Sequence, residues 1–245
     1  MLLAIDIGNT SIKFGTFDGE ALASKFIIPT HREYEADDLT AAVADRLPAN
    51  VRGVIVSSVV PEIDGAVADF VSVKLGTEAR FVKASDDFGL KFGFPVDRVG
   101  TDRLVNSFAA AAKYGVPVIV AAFGTATTID VVGKNREYRG GLIAPGPATA
   151  AKALRAVTSK LPEVEIAEPP NVIGTDTVTA IRSGIFYSQI GLVETAARHI
   201  KAEIGEARLV ATGGFAHLIA AHCKDVYAVD ANLTLEGLKK LADSY

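Results

Sequence analysis

The chain has 245 residues, 49% of them hydrophobic and 22% charged. It therefore has apolar surface for a sizeable core and exceeds the usual one-domain length of about 100–200 residues. A formal charge of −4 without any dense Lys/Arg run excludes the electrostatic footprint of a nucleic-acid or anionic-membrane binder, and favours small-molecule or protein partners. Cys223 is the only cysteine, which excludes an intramolecular disulfide and fits a reducing cytoplasm.

From the N-terminus, the apolar run Met1–Ile5 meets Asp6 with no basic region before it, so it reads as a strand and not as a signal peptide. No apolar run approaches the roughly 18 residues that a membrane span requires. Leu2–Asp6 and Ser11–Phe17 flank a Gly8-Asn9 turn and read as a hairpin, and Asp18-Gly19 turns the chain into a third strand at Ala21–Ile28. A helix at Ala36–Arg46, a buried strand at Val51–Val59 and a helix at Pro61–Leu75 follow. The helical run Leu104–Tyr114 opens at Gly100-Thr101-Asp102-Arg103 and is closed by Gly115 and Pro117.

The second half repeats the order. Strands are expected at Pro117–Phe123, Thr127–Val132 and Tyr138–Ile143, with turns at Gly124-Thr125 and Lys134-Asn135. Helices at Pro147–Leu161 and Thr177–Ile204 come next, the second open to a break at Gly184 or Gly191. A strand at Arg208–Ala211, a helix after Gly214, a strand near Val226 and a helix at Thr234–Ala242 complete the chain. Laying Gly8 on Gly124 superimposes Leu3–Thr10 on Ile119–Ala126 without a gap and sets Asp6 against Ala122. The pattern predicts two similar domains, 1–115 and 116–245, facing each other across a nucleotide-binding cleft.

Asp6-Ile7-Gly8-Asn9-Thr10 ends a strand on a carboxylate, then supplies a glycine and neutral donors, with Lys13 close behind. That set suits phosphate and Mg²⁺, and it equally suits a plain hairpin turn. Asp102 at a helix start reads as a general base beside an Arg103 clamp, or as a helix cap. Thr212-Gly213-Gly214 allows close backbone approach for adenine or ribose, or is a tight turn. His217 and His222 are five apart and do not share a helix face, so with Cys223 they read as ordinary helix residues and not as metal ligands. No P-loop, nucleophile elbow or dinucleotide fingerprint occurs.

Taken in order, six segments resemble type III pantothenate kinase: Asp6–Thr10, Gly100–Arg103, Phe123–Asp130, Gly140–Gly146, Thr212–Gly214 and Asp230–Leu238. The resemblance spans nearly the whole chain. It implies an α/β fold of duplicated ribonuclease H-like domains of the actin/sugar-kinase type with mixed five-stranded sheets. It also implies a homodimer with the pantothenate site near its interface, and phosphorylation of pantothenate by ATP at the first step of coenzyme A synthesis. Carried over by motif, Asp6, Ile7, Gly8, Asn9, Thr10, Ser11, Ile12 and Lys13 hold the ATP phosphates, with Asp6 reaching Mg²⁺ directly or through water. Thr125 is a further ATP contact. Gly100, Thr101, Asp102 and Arg103 bind pantothenate, with Asp102 as base. Thr177 matches a substrate-contacting threonine, and Phe92 stands where the family has a tyrosine, with Phe94 the alternative alignment. One departure stands out. Ala122 occupies the position of a family aspartate that helps hold a monovalent cation, K⁺ or ammonium. Its loss sets a catalytically impaired, ligand-binding homologue beside the kinase reading, and a kinase with another acceptor is a third.

Overall fold

A computed structural model describes residues 1–158 and 161–244. The chain divides into two compact units, the first formed by Met1–Gly89, Phe94–Ala109 and the segment from Asn232 onward, the second by Leu90–Gly93 and Ala110–Ala231.

In the first unit, β1 (Leu2–Ile7), β2 (Ser11–Asp18), β3 (Ala21–Pro29), β4 (Gly53–Ser58) and β5 (Ala79–Phe81) form one sheet in the order β3-β2-β1-β4-β5. β1 pairs antiparallel with β2 and parallel with β4, so it is the central strand. Its apolar composition follows from that position, because both of its faces are covered. Leu3, Ile5 and Ile7 join the cluster made by α1 (Ala36–Val43) and α2 (Asp64–Leu75), through Leu39, Val43, Val67, Phe70 and Val71. Ala4 lies on the opposite face beside Gly15, its register partner on β2. A Cβ at Gly15 would lie 3.0 Å from Leu235 of α7 (Leu233–Ala242). The small residues on this face are therefore what let α7 lie close to the sheet. At Gly237 a Cβ would lie 2.8 Å from Val105, which brings α7 equally close to α3 (Thr101–Tyr114). By the alternation of strand side chains, Asp6 shares the face of Ala4, on the α7 side of the sheet.

In the second unit, β6 (Lys91–Phe92), β7 (Val118–Phe123), β8 (Ala126–Val132), β9 (Glu137–Pro145), β10 (Arg208–Thr212) and β11 (Val226–Val229) form a sheet in the order β11-β10-β7-β8-β9-β6. Apart from β6, this is the first sheet's order again, with β7 in the place of β1. The duplication read from the hairpins extends to the whole sheet. Ile119, Ala121 and Phe123 face α5 (Thr177–Ile204) and α6 (Ala216–Ala220), and Ala122 faces the other way. The gapless superposition holds only as far as the turn. Ile7 pairs with Ile12, whereas Phe123 pairs with Thr127, so the second turn is one residue shorter.

Most other differences from expectation lie at short elements. β5 and β6 have three and two residues, too few to show a period, and β6 makes the second sheet six-stranded. The helix expected at Ala36–Arg46 tightens into a 3₁₀ turn after Val43. The helix expected at Pro147–Leu161 is α4 (Pro147–Ala156); the part of that expectation on Ser159 and Lys160 lies outside the described residues. α5 runs unbroken through Gly184 and Gly191. Both glycines are exposed, and a helix of 28 residues absorbs the roughly 1 kcal/mol that each costs against alanine.

Candidate active site

In the first unit, β1 and β4 end side by side, with Asp6 in register with Lys13 on one side and Ser57 on the other. Lys13 Nζ donates to Asp6 Oδ2 at 2.7 Å, and the Asp6 side chain is 6% exposed against 31% for Lys13. A carboxylate this buried is costly without a partner. The attraction of Asp6 raises the Lys13 ammonium above its ordinary value, opposed by burial and supported by the hydrogen bond to Asp6 and by the charge of Asp102. Lys13 therefore stays charged through the neutral range.

Thr101, the residue before Asp102, is held at this point by hydroxyl bonds. Ser57 Oγ and Thr101 Oγ1 are 3.0 Å apart, and Thr101 Oγ1 also donates to the Ser58 carbonyl at 3.1 Å. These bonds fasten the first residue of α3 to the end of β4, next to Asp6. Asp102 Oδ1 accepts from the Arg103 N–H at 2.8 Å, so the helix start orients the carboxylate. A Cβ at position 100 would lie 2.6 Å from Asp102 Oδ1, so a side chain there would displace the carboxylate.

The Gly8–Ser11 turn is pinned from three sides. Gly8 N–H donates to Ser11 O at 3.1 Å, Thr30 Oγ1 donates to Gly8 O at 2.7 Å, and Thr30 N–H donates to Thr10 O at 3.1 Å. Asn9 and Thr10 are exposed at its tip. Arg32 donates through Nη2 to Asn9 Oδ1 at 3.2 Å and pairs through Nη1 with Glu62. Thr30 and Arg32 were not among the residues singled out by motif, because neither belongs to a recognisable spacing.

The remaining predicted residues lie in the second unit. The Thr125 carbonyl accepts from Gly146 N–H at 3.0 Å and from Thr149 Oγ1 at 2.6 Å, which fixes the β7–β8 turn to the start of α4. Gly213 holds φ +97°, and a Cβ there would lie 2.5 Å from Phe123 O, so the β10–α6 turn lies directly on the end of β7. A cavity of about 580 Å³ is lined by Ala148, Ala151, Lys152 and Arg155 of α4 together with Phe215. Ala122 lies between Thr128 and Thr212 in register, with hydroxyl-bearing neighbours and no acid. Phe92 lies on β6, its ring edge-on to Tyr138 at 6.0 Å, and Tyr138 Oη donates to the buried Asp130 at 2.7 Å. Thr177 is the exposed first residue of α5, one position after the Asp176 cap. The structure thus brings Asp6, Lys13, Gly100, Thr101, Asp102 and Arg103 together in one unit, and leaves Thr125, Thr177, Phe92 and Ala122 to the other.

Among the described residues no cluster of three or more His, Cys, Asp or Glu side chains forms a ready metal cage. A divalent ion carried by nucleotide phosphates needs only one or two protein carboxylates, and Asp6 is the one that fits. Among the same residues no helix is long and apolar enough to cross a membrane.

A repeated mixed sheet of this order defines the class of actin/sugar-kinase-fold proteins. Solved structures agree on the fold. A candidate Baf family transcriptional activator from Campylobacter jejuni matches with a TM-score of 0.64 at 20% identity, over 99% of this chain and 98% of that one. A candidate 2-dehydro-3-deoxygalactonokinase from Sinorhizobium meliloti matches with a TM-score of 0.58 at 14% identity, over 100% and 96%. Sequence narrows the class to a family. The family model for type III pantothenate kinase matches residues 2–199, and the type III pantothenate kinase of Roseiflexus castenholzii is 41% identical over 98% of this chain and 97% of its own length. The chain belongs to the type III pantothenate kinase family.

Proposed function

We propose that Asp102 is the general base of this chain, which phosphorylates pantothenate from ATP with a divalent cation at the first step of coenzyme A synthesis. What supports the assignment is that Ser57 and the Ser58 carbonyl hold Thr101, the residue before Asp102, at the end of β4, and that the Asp102 charge acts on Lys13, the partner of Asp6. Asp102 accepts the proton of the primary hydroxyl as that oxygen attacks the γ-phosphorus in line, and the bond from phosphorus to the β–γ bridging oxygen breaks. Lys13 and the Gly8–Thr10 donors offset charge on the phosphate oxygens, and Arg103 holds the substrate. Mg²⁺, the divalent ion that suits this donor set, supplies further charge neutralisation when bound with ATP.

In the second unit, Thr125 is the nucleotide contact, and the cavity beside Phe215 takes the nucleoside end of ATP. Thr177 and Phe92 contact pantothenate. Relatives matched over nearly the full chain are named as kinases, which leaves the ligand-binding reading without support. A homodimer is favoured by the apolar surface at the end of α4 and in the turn before α5, where Val157, just after α4, is 79% and Ile173 81% exposed. A main division near residue 115, with the chain from Asn232 returning to the first unit, and a cytoplasmic location complete the reading. Incubation with ATP, Mg²⁺ and pantothenate, followed by mass spectrometry, tests it: phosphopantothenate is the expected product, and ATP hydrolysis without it would redirect the search to another acceptor.

A further inference from the structure

Arg32 lies outside every motif that carries the family resemblance, yet its guanidinium touches the tip of the Gly8–Thr10 turn. Through Nη2 it donates to Asn9 Oδ1 at 3.2 Å, and through Nη1 it pairs with Glu62. This pair adds little to stability, since the Arg32 and Glu62 side chains are 61% and 45% exposed and such pairs are weak in water. Its geometry is more specific than its energy. An amide whose oxygen accepts from a guanidinium has its Nδ2 group turned the other way, as a pure donor. A planar guanidinium can hold Glu62 and Asn9 on two separate nitrogens at once, which the single ammonium of a lysine matches poorly.

We infer that Arg32 is a positioning residue for the phosphoryl donor: held by Glu62, it fixes the Asn9 amide so that its N–H groups meet the nucleotide phosphates. The inference rests on the reading of the Gly8–Thr10 turn as a phosphate loop, and it adds a residue two positions beyond the Thr30 that pins that turn.

Steady-state kinetics of the full chain with ATP and pantothenate test it. R32A should raise KM for ATP roughly five- to tenfold, the net scale of one ordinary hydrogen bond, with KM for pantothenate and Tm unchanged. R32K should behave as R32A. In an N9A background, R32A should add no further rise, because the residue it positions is gone. If N9A raises KM for ATP and R32A does not, the positioning role is wrong while the phosphate loop stands. If N9A itself leaves KM for ATP unchanged, the loop reading fails first. Full recovery in R32K, or equal rises in both KM values with a lower Tm, would likewise overturn the role.

Discussion

At position 100 a side chain is excluded by a carboxylate two residues further on, and that clash makes a sharp test of the site. Gly100→Ala places a methyl 2.6 Å from Asp102 Oδ1, so the carboxylate must swing away while the helix behind it is untouched. Displacement of about 1 Å at a reacting group costs on the order of 10²-fold in rate. The expected outcome is a fall of about that size in kcat with little change in Tm, read by coupled assay and thermal melt. Ala122 is tested in the opposite direction. Asp6 has Lys13 in register, whereas Ala122 has Thr128 and Thr212, so an acid introduced there has hydroxyls and no lysine in register. A bound monovalent cation is the natural partner for such an acid. Ala122→Asp should therefore raise turnover and make it respond to K⁺ or ammonium at matched ionic strength against Na⁺, whereas the chain with alanine should respond little.

At the scale of the element, α5 begins at a reciprocal cap. Asp176 Oδ1 accepts from Thr179 N–H at 2.9 Å, and Asp176 N–H donates to Thr179 Oγ1 at 3.2 Å. The backbone bond from Thr179 is the first cause holding the Asp176 carboxyl below its ordinary value of 3.8. Because the folded value is depressed, this stabilisation is complete above 3.8 and lost as pH falls through the lower folded value. Asp176→Ala should fray the first turn, which carries Thr177. The expected result is a raised KM for pantothenate, an unchanged KM for ATP and a slightly lower Tm.

The same scale shows what the sequence made legible. The hairpins around Gly8 and Gly124 were readable because turn residues separate runs of β-branched and aromatic residues, and the strand-end position of Asp6 followed from them. Asp102 was readable as an acid at a helix start, but the tie of that helix to the end of β4 was not. The start of its helix is tied to β4 by Ser57 and Thr101, two hydroxyls 44 positions apart that local pattern cannot connect. Arg32 escaped for the same reason. Its role exists only where β3 has brought the chain back to the Asn9 turn. β5 and β6 escaped because strands this short take their conformation from a neighbouring strand and carry no period of their own.

For the whole molecule, the apolar groove between α4 and α5 is lined by Ala153, Leu154, Val157, Ile181 and Ile185. If this face joins two copies, Val157→Glu should halve the mass measured by light scattering in solution without unfolding the chain, and an unchanged mass would place the interface elsewhere. The central claim is more direct: an ATP-dependent pantothenate kinase with Asp102 as its base. It is tested by measuring phosphopantothenate formation by the chain and by Asp102→Asn side by side, with pantothenate binding followed by calorimetry. The account predicts that Asp102→Asn folds and binds pantothenate but turns over roughly 10²–10⁴-fold more slowly, the usual contribution of a positioned base. Full activity in Asp102→Asn with reduced thermal stability would contradict it and leave Asp102 as a helix cap.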